Sequence, residues 1–536
     1  FGEGVREFFD TLILVRYTSL CEVMKDIFSA VNKLQSRISP CWLPVVTVLF
    51  VWLVYVATHP SPAGEYGLYA AFVESIFTNG YPATVSNYQP VPVPFAYQPL
   101  GFFILAAFRS IFNLSFETVA LILPGMFLIV TGFLIYVFAR EIYSDSSPWT
   151  ASVVAVIAAG GIQTLYGYLL ADGIVSSLAL LFGVSSWLFA VQVFKYDDYH
   201  ITHILAAGLC FGLSILSHPP NAMFAGWGVF VLYLAYDRSI VGLLSGVVIA
   251  LTGIVVAIPW VWMVFTQFGV QPFETALAVG FGGGKGATII DSIRTVLVVS
   301  TPAIYQAPFL LWTVAVIGGF YAVAQERWFP VLFVGVSLLL GTKYVYFAEA
   351  FLAAPLIIEG LPRILTDVGT PRMKEVVPTA VIILFVLSSV LTGAVFAAGI
   401  NPTITPEHRQ AMGWVENNTS EEAKFVSAGP GNRLEVLPYY TDRQIVGGYW
   451  GAEWTSEDSY RNSKAFQQAL KNCRTANCLQ RTLGDYDYKP DYVYVSGQRA
   501  RGSFDIETIR ESTAFEIKYN RNGVIIATVN QESLQN

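Results

Sequence analysis

Charge is what this sequence has least of. Asp, Glu, Lys and Arg make up 13% of the 536 residues, hydrophobic residues 54%, and the mean hydropathy is +0.53. A soluble chain of this length needs far more charged surface, so a wholly soluble protein is excluded. Basic tracts are missing as well. With a mild net charge of −7, nothing here offers a footprint for nucleic acid. The long apolar runs lack period-2 alternation, which argues against a transmembrane β-barrel. There is no Rossmann or P-loop fingerprint to hold a nucleotide. One local shortage stands out: between Arg37 and Arg109 there is not a single Lys or Arg.

What is present is a series of apolar runs of about 18 residues or more, long enough to cross a hydrocarbon core of about 30 Å. They fall at 41–58, 117–139, 148–168, 173–194, 200–217, 221–237, 240–265, 301–323, 328–342, 345–362 and 376–398. The expectation is a polytopic α-helical membrane protein with about eleven spans. "YQPLGFFILAAFRSIF" (97–112) is apolar but short and carries Arg109, so it reads as a helix lying at the interface. Composition shifts near residue 400, and the remaining stretch is long enough for a C-terminal domain. The chain divides into an N-terminal arm (1–40), a membrane region (41–400) with a first external loop (59–116), and a C-terminal domain (401–536). Nothing in the arm resembles a cleaved signal peptide.

Basic residues set the orientation. Arg6, Arg16, Lys25, Lys33 and Arg37 place the arm in the cytoplasm, and Arg140, Lys195, Arg238, Arg327, Arg363, Arg372 and Lys374 then fall inside. Few cations fall outside, and the C-terminal domain becomes extracytoplasmic. Tyr-rich stretches and the alternating ending "FEIKYNRNGVIIATV" predict a small α/β domain closing on a hairpin, its turn at "NRNG". Cys473 and Cys478, close together in "CRTANC", either form a local disulfide or stay free.

With this topology Glu65, Asp172, His218, Lys285 and Lys343 gather at external helix ends. Ionisable groups at membrane depth are costly unless paired or solvated, so the gathering reads as a site. A base that removes a proton from a hydroxyl works best without a permanent cation beside it, which suits Glu65 in its cation-poor loop. The positive-inside rule alone also produces that gap. Lys343 and Lys285 are candidates for an anion such as phosphate. A snorkelling lysine and a solvated glycine-rich loop are their plainer readings. His218, before Pro219 and Pro220, can serve a phosphate or cap a helix. Glu349 lies about one and a half turns beyond Lys343 and can pair with it, although the spacing suits that poorly.

The order of these pieces resembles the GT-C superfamily of polytopic glycosyltransferases, in particular its protein-mannosyltransferase and aminoarabinose-transferase branch. The resemblance rests on "GEYGLYAAFVESIFTNGYP" after the first span, "YQPLGFFILAAF", "GYLLADGIVSSLALLFG", "GLCFGLSILSHPPNAMF", "TKYVYFAEAFLAAPL" and the tail "GWVENNTSEEAKFVSAGP". Two departures stand against it: Gly64 replaces the first acid of an Asp-Glu pair, and "QPL" replaces "KPP". The Trp-Trp-Asp signature of oligosaccharyltransferases is absent, and "GGYWGAEW" (447–454) is only superficially similar, so the chain is not read as one of those.

The resemblance implies an inverting transferase that takes a sugar from a polyprenyl- or dolichyl-phosphate carrier on the extracytoplasmic face. Its acceptor would be a lipid, glycan or protein. In that scheme Glu65 is the base and Asp172 orients the acceptor or a cation. Lys343, then Lys285 and His218, hold the donor phosphate, and Tyr66, Tyr97, Gln98 and Glu349 line the substrates. A divalent cation (Mg or Mn) on Glu65 or Asp172 is part of the same expectation. Two rival readings are a lipid or solute transporter or flippase, and a GT-C-like scaffold that has lost activity.

Overall fold

The computed structural model describes residues 39–63, 66–80, 84–85, 88–160, 173–275, 308–340, 342–368, 371–399, 404–429, 434–486, 488–496 and 504–534. Three of the expected site residues, Glu65, Asp172 and Lys285, lie outside the described residues, as does the side chain of Lys343.

Each of the eleven apolar runs falls on a helix over its described residues, because a chain without water around it must satisfy its N–H and C=O groups within the segment. In chain order these are α1 (Trp42–Thr58), then α2 (Gly67–Asn79) and α3 (Leu100–Phe112) in the first loop, followed by α4 (Phe116–Ile142), α5 (Pro148–Gly160) and α6 (Gly173–Lys195). Next come α7 (Ile201–Ile215), α8 (Pro219–Tyr236), α9 (Ile240–Phe268), α10 (Pro308–Ala324) and α11 (Trp328–Leu340). The last are α12 (Thr342–Pro355), joined through a π-helical turn at Leu356–Gly360 to α13 (Leu361–Val368), and α14 (Pro371–Gly399). Among the described residues, five helical segments are long and apolar enough to cross a membrane by length and composition, and seven shorter apolar helices accompany them. The chain is an integral membrane protein. Helix α3 has 13 residues, about 20 Å of length, too short to cross a 30 Å core.

Trp187 anchors the bundle. Its indole donates to Ala225 O at 2.8 Å and its ring meets Phe138, Phe224, Phe333 and Phe347. Gly228 is required opposite it, since a Cβ there would lie 2.2 Å from Trp187 Nε1.

Beyond the bundle, α15 (Pro406–Asn418), α16 (Leu437–Thr441), α17 (Glu457–Asn472), α18 (Ala476–Asp485) and α19 (Ile506–Glu511) surround one sheet. Its strands are β3 (Lys424–Ala428), β4 (Gln444–Ile445), β5 (Tyr492–Ser496), β6 (Phe515–Arg521) and β7 (Val524–Val529); β1 (Thr84–Val85) and β2 (Val93–Pro94) form a separate pair in the first loop. The order is β4-β3-β5-β7-β6, parallel on the β4-β3-β5 side and antiparallel through β7 and β6. The expected hairpin is β6–β7. Asn522 and Gly523 both take positive φ (49° and 82°) at its turn, the conformation a two-residue hairpin loop with the right twist requires. Cys473 and Cys478 are disulfide-bonded.

The C-terminal domain has one core on the far side of its sheet, around Phe466, Leu479, Val495 and Ile525, and shares a second with the first loop. Tyr66, Leu68, Phe72, Val85, Phe95 and Phe116 from the loop share one hydrophobic cluster with Ile404, Met412, Phe425, Leu437, Tyr494 and Ile526 from the domain. The backbones touch as well: a Cβ on Gly67 would lie 1.8 Å from Glu435 O, and Ile445 N donates to Tyr88 O at 3.1 Å. An ion pair at 2.7 Å links Arg409 of the domain to Glu117 at the start of α4, while Arg109 and Glu74 pair within the loop itself.

Candidate active site

Several of the expected residues, or their immediate neighbours in the chain, converge on one end of the bundle. Gly173–Ser176, which follow Asp172, begin α6. Pro99 and Leu100, which follow Gln98, begin α3. The two helix starts are in contact, since a Cβ on Gly101 would lie 2.7 Å from Val175 Cγ1. Leu100 N donates to Leu216 O at 3.1 Å, which ties "YQPL" to the turn holding His218. His218 occupies the N-cap position of α8 but makes no side-chain cap bond, and Pro219 and Pro220 take the first helical positions. One turn on, Asn221 donates to Ser176 Oγ at 3.0 Å and accepts from the Tyr344 hydroxyl at 2.9 Å. Tyr344 directly follows Lys343. This buried bridge therefore fixes the starts of α6, α8 and α12 against one another, where each carries or follows one of the candidate residues.

The flanks of Glu65 are pinned too. Ala63 N donates to the Tyr55 hydroxyl at 2.9 Å, and Ser61 Oγ donates to Ile404 O at 2.9 Å. Tyr66, by contrast, is built into the core shared with the C-terminal domain: it is buried, packs on Phe116, and its hydroxyl meets that of Tyr440 at 3.5 Å. Burial and the nearby Glu117 carboxylate push its phenol far above the ordinary value. Arg109, the first loop's only cation, is bound to Glu74 and lies over the Phe77 ring at 5.0 Å.

Glu349 is 1% exposed in α12, and among the described residues neither carboxylate oxygen has a hydrogen-bond partner. It stands six positions from Lys343, about 9 Å along the helix. Such a carboxyl in an apolar bundle is costly and reads as functional by default.

Tyr97 brings in a residue the sequence did not single out. Its hydroxyl donates to Glu453 of the C-terminal domain, and its ring meets Trp454 edge-on at 4.9 Å. Trp454 in turn joins Ala96, Trp260 and Val264 in a small cluster at the end of α9. Burial raises the Glu453 carboxyl to about 7, offset in part by the Tyr97 hydroxyl and by backbone N–H groups. These residues belong to "GGYWGAEW". The available signal was the spacing of its glycines: Gly447 and Gly451 take φ of +68° and +89°, and a Cβ on Gly448 would press on Gln89 at 2.9 Å.

Among the described residues no group of three or more His, Cys, Asp or Glu side chains could hold a metal ion. Glu65 and Asp172, the expected holders of a cation, lie outside that set.

No family model and no curated protein matches the chain. Solved structures do. Over 92% of this chain and 98% of its own length, the aminoarabinose transferase ArnT from Cupriavidus metallidurans superposes with a TM-score of 0.55 at 12% identity. The Archaeoglobus fulgidus oligosaccharyltransferase, with a tethered acceptor peptide, matches over 92% of this chain and 74% of its own, again with a TM-score of 0.55 at 12% identity. Mycobacterial arabinofuranosyltransferase AftD gives 0.53 at 12% identity, with this chain spanning 40% of that longer protein. At such identities the likeness concerns fold. The chain has the GT-C-like fold of these membrane glycosyltransferases, a polytopic helical bundle followed by a soluble C-terminal α/β domain.

Proposed function

We propose that this protein is an inverting membrane glycosyltransferase that moves a sugar from a polyprenyl- or dolichyl-phosphate donor to a lipid, glycan or protein hydroxyl on the extracytoplasmic face. The observation that carries the reading is the Ser176–Asn221–Tyr344 bridge. It draws together the helix starts next to Asp172, His218 and Lys343, in a fold shared with carrier-dependent transferases. ArnT has been crystallised with undecaprenyl phosphate, at a TM-score of 0.54 to this chain. The oligosaccharyltransferase AglB has been solved with a dolichol-phosphate and an inhibitory peptide, at 0.50.

In this mechanism Glu65 takes the proton of the acceptor hydroxyl as its oxygen attacks the anomeric carbon. The bond from that carbon to the carrier phosphate breaks, and the phosphate leaves with the electron pair. Lys343, with Lys285 and His218, balances its charge. Asp172 orients the acceptor, and Tyr97, Gln98 and Glu349 line the path. A divalent cation on the carboxylates would add charge neutralisation at the leaving phosphate.

Purified protein in nanodiscs, given radiolabelled polyprenyl- and dolichyl-phosphate sugars with extracted lipids and glycans, tests the proposal. Glu65→Gln and Asp172→Asn should each lower transfer at least about 100-fold, the scale of a lost general base. Chelation with EDTA reads the cation. If no donor is consumed, or if both variants match wild type, the proposal fails and a transporter or inactive scaffold takes its place.

A further inference from the structure

Residues Gly447–Thr455 form a strap from the C-terminal domain across the first loop. Gln89 Nε2 donates to Trp450 O at 3.2 Å, and Gln271 Nε2, just past α9, donates to Thr455 O at 3.0 Å. Between those two anchors Glu453 accepts from Tyr97. Glu453 is 6% exposed, and among the described residues its second oxygen, Oε2, has no hydrogen-bond partner. Tyr97 begins the "YQPL" segment whose Leu100 is bonded beside His218.

We propose that Glu453 is a positioning residue: through Tyr97 it holds the first loop over the membrane site, and its protonation decides whether that seam stays closed. This rests on the transferase reading above for its effect on the reaction, not for the coupling itself.

An ionised Glu453 is an unbalanced charge. The groups facing the carboxyl are Tyr97, with Tyr69 behind it, and the backbone N–H groups of Gly451 and of Glu453 itself. Helix α17, which follows the strap, brings Tyr460, edge-on to Tyr449 and bonded to Lys464, and the surface pair Glu457–Arg461. The end of α9 brings Trp260 and Val264. Among the described residues no cation acts on Glu453. A neutral carboxyl is tolerated in this setting, whereas an ionised one is a buried charge without a counterion. The sign follows. Closure raises the carboxyl from 4.5 to about 7, so closure is favoured when the group is protonated and weakens as pH rises through that value. By linkage the opening equilibrium increases about 70-fold between pH 5 and pH 8.5.

Hydrogen-exchange protection factors of peptides covering Tyr88–Leu100 and Gly447–Thr455, measured on the full chain in nanodiscs, test this. Wild type should lose protection about 70-fold over that pH range. Glu453→Gln, neutral at every pH, should keep protection flat, with strands β5 and β7 reporting that the domain is folded. Tyr97→Phe removes the same bond from the membrane side and should lower protection already at pH 5. In the transfer assay, wild-type kcat should fall at alkaline pH, and Glu453→Gln should abolish that fall. Identical pH responses of wild type and Glu453→Gln would overturn the proposal. A pH-responsive seam with no transfer under any condition supports the coupling and counts against the transferase reading instead.

Discussion

Gly451 is where the shared core of loop and C-terminal domain can be tested most directly. Its φ is +89°, and a Cβ added there would lie 2.5 Å from Val93 Cγ1, 3.2 Å from Cγ2 and 3.5 Å from Leu68 Cδ2. Gly451→Ala therefore meets two costs. Holding an L-residue in the left-handed region takes about 1–2 kcal/mol, and overpacking against the buried Val93 takes about 1–3 kcal/mol. The expected loss is about 2–5 kcal/mol, localised at the seam. Val93→Ala removes both of the nearest methyl groups and by itself should cost about 2 kcal/mol. In the double variant the clash disappears while the φ strain stays, so the pair should cost about 1–3 kcal/mol less than the sum. The readout is the opening free energy of seam peptides by hydrogen exchange, because a chain with a membrane bundle and a soluble domain has no single unfolding free energy. If Gly451→Ala stays within about 0.5 kcal/mol of wild type, or if the two costs simply add, the strap does not rest on the loop as described.

Two further predictions concern the C-terminal domain. Arg443 is 7% exposed and donates to the carbonyls of Thr441, Glu416 and Thr419 at 2.6, 2.9 and 2.7 Å, tying the end of α15 to the end of α16. Arg443→Met should cost about 2–4 kcal/mol in protection of α15 and β4, and a loss below about 0.5 kcal/mol would contradict that role. Reducing Cys473–Cys478, or replacing both with serine, should cost about 2 kcal/mol for so short a loop, read as protection in α17 and α18 with and without reductant. Because Cys473 is fully buried, an unchanged profile would mean that packing alone holds that turn.

The elements of this fold were legible in the sequence, since each is dictated locally. Over its described residues every apolar run lands on a helix, because within one segment of a bilayer the backbone must satisfy its own hydrogen bonds. "NRNG" lands on the hairpin turn because Asn and Gly accept the positive φ it needs. The shortness of 97–112, with Arg109 inside it, likewise marked α3 as different from a span. The convergence of the starts of α6, α8 and α12 was legible only in outline, through the expected topology. The residues that fasten them, Ser176, Asn221 and Tyr344, look like ordinary small or aromatic helix residues in one dimension.

Tertiary structure alone decided that the first loop and the C-terminal domain share a core, that Tyr66 belongs to that core, and that Tyr97 meets Glu453. Those last two residues are 356 positions apart, and no periodicity or turn signal reaches across such a distance. What the sequence did hold was a constraint without an address. The glycines of "GGYWGAEW" had to be glycines, but the side chains that exclude a Cβ there (Val93, Gln89 and Phe466) come from elsewhere in the chain. Local physics set the helices, the turns and the charge-poor first loop, whereas the contacts that bring a carboxyl from the soluble domain onto the membrane domain's loop depend on how the whole chain packs.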